Sequence, residues 1–405
     1  MIRTRFAPSP TGYIHIGNLR TAAYAYALAK HSGGQFLLRI EDTDQKREVK
    51  DALEKIYSTL KIFNLKWDNE PAIQSQRLGL YKQAAEKLVA SGHAYLDEGA
   101  IRLKVPKDET ITFHDFVLNK DVSWSSNDVP DAVLLKSDGF PTYHLAVVVD
   151  DTDMGITHVI RSVDWLPSTP IHILVFKYLG YELPQIGHPT AILDPQGGKL
   201  SKRKNNVSVE QFLADGYLPE ALLNFVILLG WAPKDNRELF TLDEFVAAFD
   251  IAGFQKSNPA LNLQKLDWFN AHYIRQKSDE ELIQLIKPYF DHPKLAEIIP
   301  LLKDRVTKLA EFPQLAQCFT SNPPIPSDPS ISPDHLKFAL DNFDRLLKGE
   351  LIDEIKSKSW KVGDFFMSLR IAVCGSRSTP PITETMIILG KEESLKRIKT
   401  ALHEY

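Results

Sequence analysis

Two short segments of this sequence combine residues that could handle a polyphosphate. The first, residues 3–17, reads RTRFAPSPTGYIHIG and predicts a strand, a turn containing Pro and Gly, and the start of a helix. That order presents free backbone N–H groups and the positive end of a helix to an anion. Gly17 lets a phosphate or an adenine ring approach the backbone, and His15 can donate a hydrogen bond to a phosphate oxygen. Taken alone, the segment could also be an ordinary βα turn with a surface histidine.

The second segment, residues 199–204, reads KLSKRK and follows the turn-rich stretch DPQGG. Its cations could stabilise a triphosphate and the negative charge that develops on a leaving pyrophosphate, with no covalent role. By itself, such a segment is more often a solvated basic loop or a nucleic-acid patch. Paired with the N-terminal segment, it predicts a catalytic loop.

Charged and aromatic side chains fall at predicted strand ends, where a pocket would form and a carboxylate could hold an amino group or a metal. Glu41 follows a predicted strand, and ligands of an open parallel sheet lie at the carboxyl ends of its strands. Tyr143 and Arg161 fall at a predicted turn and at a strand end, and the planar guanidinium group of Arg161 matches a carboxylate in bidentate fashion. The acidic residues could instead cap a helix, and Arg161 could form a structural salt bridge.

The order of predicted elements indicates an α/β fold with a parallel sheet, followed by an all-α region. In the α/β part we predict strands at residues 3–7, 35–40, 130–135, 140–151 and within 156–165, and helices at residues 19–30 and 170–179. From about residue 277 onward, apolar residues recur at three- and four-residue spacing. Helices are predicted there at residues 280–289, 295–309, 335–347 and 384–403, with a Pro- and Ser-rich link at residues 322–333.

Composition limits the classes to which the chain can belong. Its 405 residues predict about two to four domains, and its 43% hydrophobic and 25% charged residues are typical of an ordinary globular protein. A net charge of −4 gives no global signal for nucleic acid, so any RNA contact must come from local patches. Only Cys318 and Cys374 are cysteines, which excludes a disulfide framework and a four-cysteine zinc site. We expect no membrane span and no targeting peptide, because no apolar run is long enough and the first strand begins beside Met1.

Several longer stretches resemble the glutamyl-tRNA synthetases, a family of class I aminoacyl-tRNA synthetases. The resemblance covers nearly the whole chain, and it implies a Rossmann-type α/β catalytic domain with a small inserted domain, followed by an all-α anticodon-binding region. It also implies ATP-dependent activation of L-glutamate and transfer of the glutamyl group to the 3′ end of a tRNA. Besides the two segments above, it is carried by PDAVLLKSDGFPTYHLA (130–146), IRSVDWLPSTPIH (160–172), FLADGYLPEALLNF (212–225), NLQKLDWFNAHYIR (262–275) and residues 366–402.

Carried over residue by residue, the resemblance assigns roles to the residues singled out above. Arg161 would bind the side-chain carboxylate of glutamate, and Glu41 would hold the α-ammonium side. The catalytic residues would be His15, Lys199 and Lys202, with Trp165 near the pocket as packing. Glutamate would be surrounded by Arg5, Ala7, Ser9, Glu41, Tyr143 and Arg161, and ATP by His15, Gly17, Lys199, Lys202 and Arg203.

The resemblance further implies ATP as a substrate accompanied by Mg²⁺, no zinc, a tRNA partner, no membrane association, a monomer and a cytoplasmic location. It divides the chain into four parts. These are a nucleotide-binding catalytic domain (1–81 and 142–195), a shortened acceptor-end-binding insertion (82–141), a catalytic-loop and stem-contact region (196–276) and a helical anticodon-binding domain (277–405).

Two features depart from the family pattern. Val147 stands where the family usually has an Asn that helps hold the substrate, so the pocket is either reshaped, weaker, or completed by another group. Near residues 93–102 the chain also lacks a stretch that the family usually inserts. Three alternatives stay open. A glutaminyl enzyme has a β-rich C-terminal half, and a glutamyl-queuosine tRNA-modifying paralogue usually lacks the C-terminal helical domain, whereas this sequence predicts helices there. A catalytically weakened tRNA-binding paralogue is supported only by the two departures and is opposed by the intact ATP-binding segments.

Overall fold

A computed structural model describes residues 1–47, 49–198, 207–322 and 324–405 of the chain. By its internal packing the chain divides into two units. The first consists of residues 1–213 and 219–269, and the second of residues 214–218 and 270–405. The finer four-part division made from the sequence stays a prediction.

Strands occur in the first unit and carry the residues of interest at their ends. In chain order they are β1 Arg3–Phe6, β2 Gln35–Ile40, β3 Ala72–Ile73, β4 Ala94–Asp97, β5 Ala100–Leu103, β6 Thr110–Asp115, β7 Lys120–Ser125, β8 Val133–Leu135, β9 His158–Ile160 and β10 Gln185–Gly187.

These strands form three sheets. One has the order β1-β2-β3 and is parallel throughout. A second has the order β7-β6-β10-β9, in which β10 runs parallel to both of its neighbours and β7 runs antiparallel to β6. The edge strands β1 and β9 lie side by side, since Thr157 N donates to Arg3 O at 2.9 Å. The third sheet, β4-β5-β8, is antiparallel and lies within the predicted insertion.

Helices cover the strands of the first unit and build the second unit. In chain order they are α1 Ile16–His31, α2 Ala52–Ile62, α3 Leu78–Ala90, α4 Tyr143–Asp153, α5 Thr169–Leu179, α6 Val209–Ala214, α7 Pro219–Ile227, α8 Leu242–Ala248, α9 Leu263–Gln276, α10 Asp279–Ile286, α11 Leu295–Leu302, α12 Phe312–Leu315, α13 Gln317–Thr320, α14 Pro333–Asp341, α15 Phe343–Leu347, α16 Ile352–Ser357, α17 Val362–Cys374, α18 Ile382–Leu389 and α19 Lys391–Glu404.

The strand–turn–helix–strand order predicted at the N-terminus is confirmed. Helix α1 begins after His15, is rich in Ala and Leu, and ends at Ser32, which is followed by Gly33 in the left-handed region (φ 66°). Gly34 then packs so closely against β1 that an added Cβ would lie 2.0 Å from Ile2 O. The Ala-rich helix and this tight glycine let α1 cover the strands that carry the predicted site.

The predicted strand at residues 140–151 is wrong, because this segment forms helix α4. Its VVV run favours a strand locally. However, residues 145–151 are all buried, since α4 packs against α3 and α5 in the core. A helix buried on all sides shows no amphipathic period, so the sequence pattern gave no helical signal. The helix places Tyr143, Val147 and Asp151 one turn apart on one face.

The predicted helical C-terminal region is confirmed, with shorter elements than expected. The predicted helix at residues 295–309 ends as α11 at Leu302, two residues after Pro300. Arg397 of α19 is buried in the second unit and donates to the carbonyl oxygens of Cys318 (2.8 Å) and Val373 (3.0 Å). This one guanidinium group therefore ties α19 to α13 and α17. In the described part of the chain, no helix is both long enough and apolar enough to cross a membrane.

Val147→Asn should destabilise the protein, because it would place an amide in an apolar cluster. Val147 is 3% exposed and packs among the side chains of α3, α4 and α5. We expect the free energy of unfolding to fall by about 1–3 kcal/mol, measured by urea titration with circular dichroism.

Val147→Thr is the matched control for this change. Threonine keeps the shape of valine, and its hydroxyl group can donate to the carbonyl oxygen one turn back in the helix. The free energy of unfolding should therefore fall less for Val147→Thr than for Val147→Asn. An Asn variant as stable as the wild type would show that the amide finds a polar partner, as the family pattern implies.

Candidate functional site

A cavity of about 480 Å³ opens at the carboxyl ends of β1, β2 and β9. Pocket residues nominated from the sequence come together there. Lys199, Lys202 and Arg203 lie outside the described residues. The nominated residues that line the cavity are Arg5, Ala7, Ser9, His15, Gly17, Glu41, Tyr143 and Arg161.

Backbone hydrogen bonds fix the turn that follows β1. Glu41 N donates to Pro8 O at 3.0 Å, and Val49 N donates to Pro10 O at 2.9 Å. The turn is thereby held beside the end of β2, so Ser9 and Glu41 line the same cavity. The prolines keep this turn extended and cannot donate, and they therefore contribute only their carbonyl groups.

His15 caps the helix that begins at this cavity. Its Nδ1 accepts hydrogen bonds from Gly17 N (3.0 Å) and Asn18 N (3.3 Å), so we assign the ring proton to Nε2. A Cβ on residue 17 would lie 2.9 Å from Cε1 of His15. Gly17 is therefore needed for the imidazole to cap the helix, a reason different from the ligand approach predicted from the sequence.

Val207, three residues after the second predicted segment in sequence, pairs with the first segment at the cavity. Ile16 N donates to Val207 O at 3.1 Å, and Val209 N donates to Ile14 O at 2.9 Å. Val207 also lines the cavity. This pairing places Val207 beside Ile14 and Ile16 of the first segment, while residues 199–206 lie outside the described part of the chain.

The guanidinium group of Arg161 is held by neutral side chains. It is 5% exposed and donates from Nε to His188 Nε2 (3.1 Å), from Nη1 to His172 Nδ1 (2.9 Å) and from Nη2 to Thr169 Oγ1 (2.8 Å). A longer contact of 3.4 Å joins Nη1 to the hydroxyl group of Tyr143. Among the described residues no carboxylate pairs with Arg161, which argues against a purely structural salt bridge. One N–H of Nη2 has no acceptor in the described chain and remains for a ligand.

Burial and neighbouring charge keep both imidazoles neutral. Burial, followed by the positive charge of Arg161, holds the pKa of His172 well below its usual value of 6.5. Burial also lowers the pKa of His188, although its hydrogen bond to Asp115 opposes this shift. Neutral rings can accept the hydrogen bonds of Arg161, whereas protonated rings cannot.

A second guanidinium group, that of Arg5, also lines the cavity. Its Nε donates to Asp151 Oδ1 at 3.1 Å, and no described residue accepts from its Nη1 or Nη2. Arg39 lies beneath and is fully buried, with Nη1 2.6 Å from Asp151 Oδ1 and Nη2 3.1 Å from Glu41 Oε1. Burial would lower the pKa of Arg39, but Asp151 and Glu41 raise it above its usual value.

Arg39 and Asp151 were not predicted as site residues. A charged residue inside the apolar strand QFLLRI was the available signal, since a buried guanidinium group needs acidic partners. The pKa of Asp151 is lowered by Arg5 and Arg39 although its burial acts in the opposite direction. Burial raises the pKa of Glu41, and both arginines oppose that shift.

Aromatic rings close one wall of the cavity. Trp165 packs against Tyr143 with ring centroids 4.1 Å apart and is still 39% exposed. The expected packing role of Trp165 agrees with this contact, and its exposed edge also lines the cavity together with Asp164. Within the described ranges, no three His, Cys, Asp or Glu side chains converge to hold a metal ion.

The stability of the first unit should fall as the pH drops below about 6.5, since His172 is buried in its neutral form. The unfolded chain then binds protons that the folded chain does not, so the free energy of unfolding decreases with falling pH. The slope for this one histidine is at most about 1.4 kcal/mol per pH unit. Urea unfolding at several pH values between about pH 7.5 and pH 5.5 measures how the free energy of unfolding depends on pH. His172→Asn, which keeps an acceptor near the position of Nδ1 but does not titrate, should flatten the slope, and an unchanged slope would contradict the assignment.

Comparison with known proteins identifies the family. Residues 1–100 and 97–268 match the family described as tRNA synthetases class I (E and Q), catalytic domain, and residues 281–402 match an anticodon binding domain. The glutamate–tRNA ligase of Treponema denticola is 35% identical over 503 aligned positions, which cover 100% of this chain and 99% of that protein. The glutamate–tRNA ligase of Dehalococcoides mccartyi is 38% identical over 473 positions, covering 99% and 98%.

A solved structure has the same fold. The crystal structure of glutamate-tRNA synthetase from Elizabethkingia anophelis matches with a TM-score of 0.90 and 29% identity, over 99% of both chains. The alignments with the two ligases are longer than the 405 residues of this chain, so the chain lacks segments that those relatives have. The predicted position of the missing segment, near residues 93–102, stays a prediction. The expected fold is confirmed, with a Rossmann-type catalytic domain and a helical anticodon-type domain, and the chain belongs to the glutamate–tRNA ligase family of class I tRNA synthetases.

Proposed function

We propose that this protein is an ATP-dependent ligase that joins L-glutamate to the 3′ end of a tRNA. The observation that carries the proposal is the charge pattern of the cavity, where the guanidinium groups of Arg5 and Arg161 and the carboxylate of Glu41 line one space. Glutamate carries the complementary set of two carboxylates and one ammonium group. The relatives of this chain described above are glutamate–tRNA ligases. Among the proteinogenic amino acids of similar size, only aspartate has the same set of charges.

In this proposal Arg161 and Arg5 share the recognition of glutamate. Arg161 offers one free N–H and a positive charge to the side-chain carboxylate. Arg5 offers its two terminal nitrogens, Nη1 and Nη2, to a carboxylate of glutamate. Arg5 therefore supplies the bidentate geometry that we predicted for Arg161 from the sequence. Glu41 binds the ammonium group, and Ala7, Ser9 and Tyr143 complete the walls.

ATP would lie at the N-terminus of α1, where His15 and Gly17 line the cavity. An oxygen of the α-carboxylate of glutamate attacks the α-phosphorus of ATP, the bond from that phosphorus to the oxygen bridging to the β-phosphate breaks, and pyrophosphate leaves. A terminal ribose hydroxyl of tRNA then attacks the carbonyl carbon of the adenylate and AMP leaves. The protein supplies position and charge, with Lys199, Lys202 and Arg203 as the proposed partners of the phosphates.

The remaining parts of the proposal follow from this reaction. Mg²⁺ would arrive with the phosphates of ATP, since the described side chains form no metal cage of their own. The helices at residues 281–402 would contact the anticodon region of the tRNA. A monomer working in the cytoplasm, where ATP and tRNA are available, is part of the same proposal, as is the absence of zinc.

L-Glutamate should support ATP–pyrophosphate exchange by this protein, assayed with and without tRNA, because it alone supplies both carboxylates at the right spacing. We expect neither L-glutamine nor L-aspartate to replace it. We also expect labelled glutamate to be transferred to an unmodified tRNA transcript, which contains no queuosine.

Each alternative has its own result in this experiment. Exchange with glutamine would identify a glutaminyl enzyme. Glutamate activation without charging of the transcript would favour the queuosine-modifying paralogue. A lack of exchange with every amino acid, with tRNA present, would favour a weakened tRNA-binding paralogue.

Arg5→Lys should raise the KM for glutamate by roughly tenfold or more, since a single ammonium group cannot pair with Asp151 and also grip a carboxylate in bidentate fashion. Exchange kinetics over a range of glutamate concentrations measure the change. Arg3→Lys is the matched control, because Arg3 lies on the same strand and is absent from the cavity wall. A KM for Arg5→Lys equal to that of the control would remove Arg5 from the binding site.

A further inference from the structure

A line of hydrogen bonds crosses the ends of three neighbouring strands and reaches Arg161. Asp115 is the last residue of β6, His188 follows β10 and Arg161 follows β9, and the sheet has the order β6-β10-β9. Asp115 Oδ2 is 2.7 Å from His188 Nδ1, and Arg161 Nε is 3.1 Å from His188 Nε2. Parallel strands place their carboxyl ends at one edge, so the sheet itself aligns this line of side chains.

The two oxygens of Asp115 have different partners. Oδ1 accepts from the backbone N–H groups of Val117 (3.1 Å), Leu118 (2.9 Å) and His188 (3.2 Å). Oδ2 faces His188 Nδ1, and both side chains are fully buried. Because a carboxylate only accepts, the proton of His188 lies on Nδ1, and Nε2 is left to accept from Arg161.

This arrangement leaves the charge of Arg161 available to a ligand. Arg5 and Arg39 are paired directly with Asp151, whereas a neutral imidazole separates Arg161 from Asp115. The carboxylate paired with such a guanidinium group offsets its positive charge, so the guanidinium group would attract a second carboxylate less strongly. Neutral acceptors orient the guanidinium group without offsetting its charge.

We propose that Asp115 and His188 are positioning residues for substrate recognition, which set the orientation of Arg161 and keep its charge free for the side-chain carboxylate of glutamate. The inference rests on the proposed function. It adds Asp115, a residue of the predicted acceptor-binding insertion, to the amino-acid site through a contact that no sequence pattern predicted.

A second line of hydrogen bonds, through His172 and His144, also supports Arg161. His172 Nδ1 accepts from Arg161, so its proton lies on Nε2, which is 3.1 Å from His144 Nδ1. Burial lowers the pKa of His144, and Arg161 adds to this effect. Both lines of hydrogen bonds therefore contact Arg161 through neutral rings, whereas Asp151 pairs with Arg5 and Glu41 pairs with Arg39.

Asp115→Asn tests the proposal through the proton of His188. The three backbone N–H groups at Oδ1 require the oxygen of the new amide, so its NH₂ group must face His188 Nδ1. His188 then accepts at Nδ1 and carries its proton on Nε2, where it opposes the N–H of Arg161. The substitution changes no volume, yet it reverses the direction of the hydrogen bond.

We expect Asp115→Asn to raise the KM for glutamate roughly tenfold to a hundredfold in exchange assays with tRNA, with kcat within about twofold of the wild type. Asp68→Asn is the matched control. Asp68 also accepts from a backbone N–H, that of Phe36 at 2.8 Å, but it has no contact with this network. It should leave the KM unchanged.

Two further measurements separate positioning from simple loss of structure. Nitrogen-15 NMR of labelled histidine should show the proton of His188 on Nδ1 in the wild type and on Nε2 in Asp115→Asn.

His188→Gln, which can place an oxygen near the position of Nε2, should raise the KM less than His188→Leu. In the His188→Gln background, Asp115→Asn should cause no further increase, even if the single variant is less stable.

The outcomes distinguish this inference from the proposed function. Glutamate-dependent exchange in the wild type together with an unchanged KM in Asp115→Asn would overturn the positioning role alone. Additive effects of Asp115→Asn and His188→Gln would overturn it as well. A wild-type protein without glutamate-dependent exchange would overturn the proposed function, whatever the NMR spectra show.

Discussion

Asp151 lies between two guanidinium groups, and the shape of the amino-acid cavity depends on that interaction. Its carboxylate joins Arg5 of β1 and Arg39 of β2 to helix α4, with all three side chains almost fully buried. Loss of one partner from such a buried group typically costs about 3–5 kcal/mol, because a charge is left without compensation. The pairing also directs Nε of Arg5 toward Asp151, and Arg5 lines the cavity together with Glu41, the residue that follows β2.

Much of the fold could be predicted from local patterns. The strand before Pro8, the Ala-rich helix after Gly17 and the strand before Glu41 each carry their own start and stop signals, and all three are confirmed. Helix α4 was assigned as a strand because its three consecutive valines favour β structure locally. Its burial between α3 and α5 decides its conformation, and a local pattern carries no information about such packing.

The site was only partly predictable for a related physical reason. Residues in motifs, such as His15 and Arg161, could be nominated from their own neighbourhoods in sequence. Asp115 and His188 could not, because their role arises only when β6, β10 and β9 become neighbours in the sheet. The position of Val147 also required the structure, which places its side chain in the apolar core instead of on the cavity wall.

The capping of α1 by His15 has a consequence for any anion that arrives there. Gly17 N and Asn18 N already donate to the imidazole, so the helix end is occupied by the protein's own side chain. An incoming phosphate that took these donors would exchange one acceptor for another and gain no hydrogen bonds in number. Its advantage would be electrostatic, since a charged acceptor replaces a neutral one at a positive helix end. The affinity of the helix N-terminus for a ligand is then governed by the charge of that ligand. A neutral ligand of the same shape would not displace the imidazole of His15.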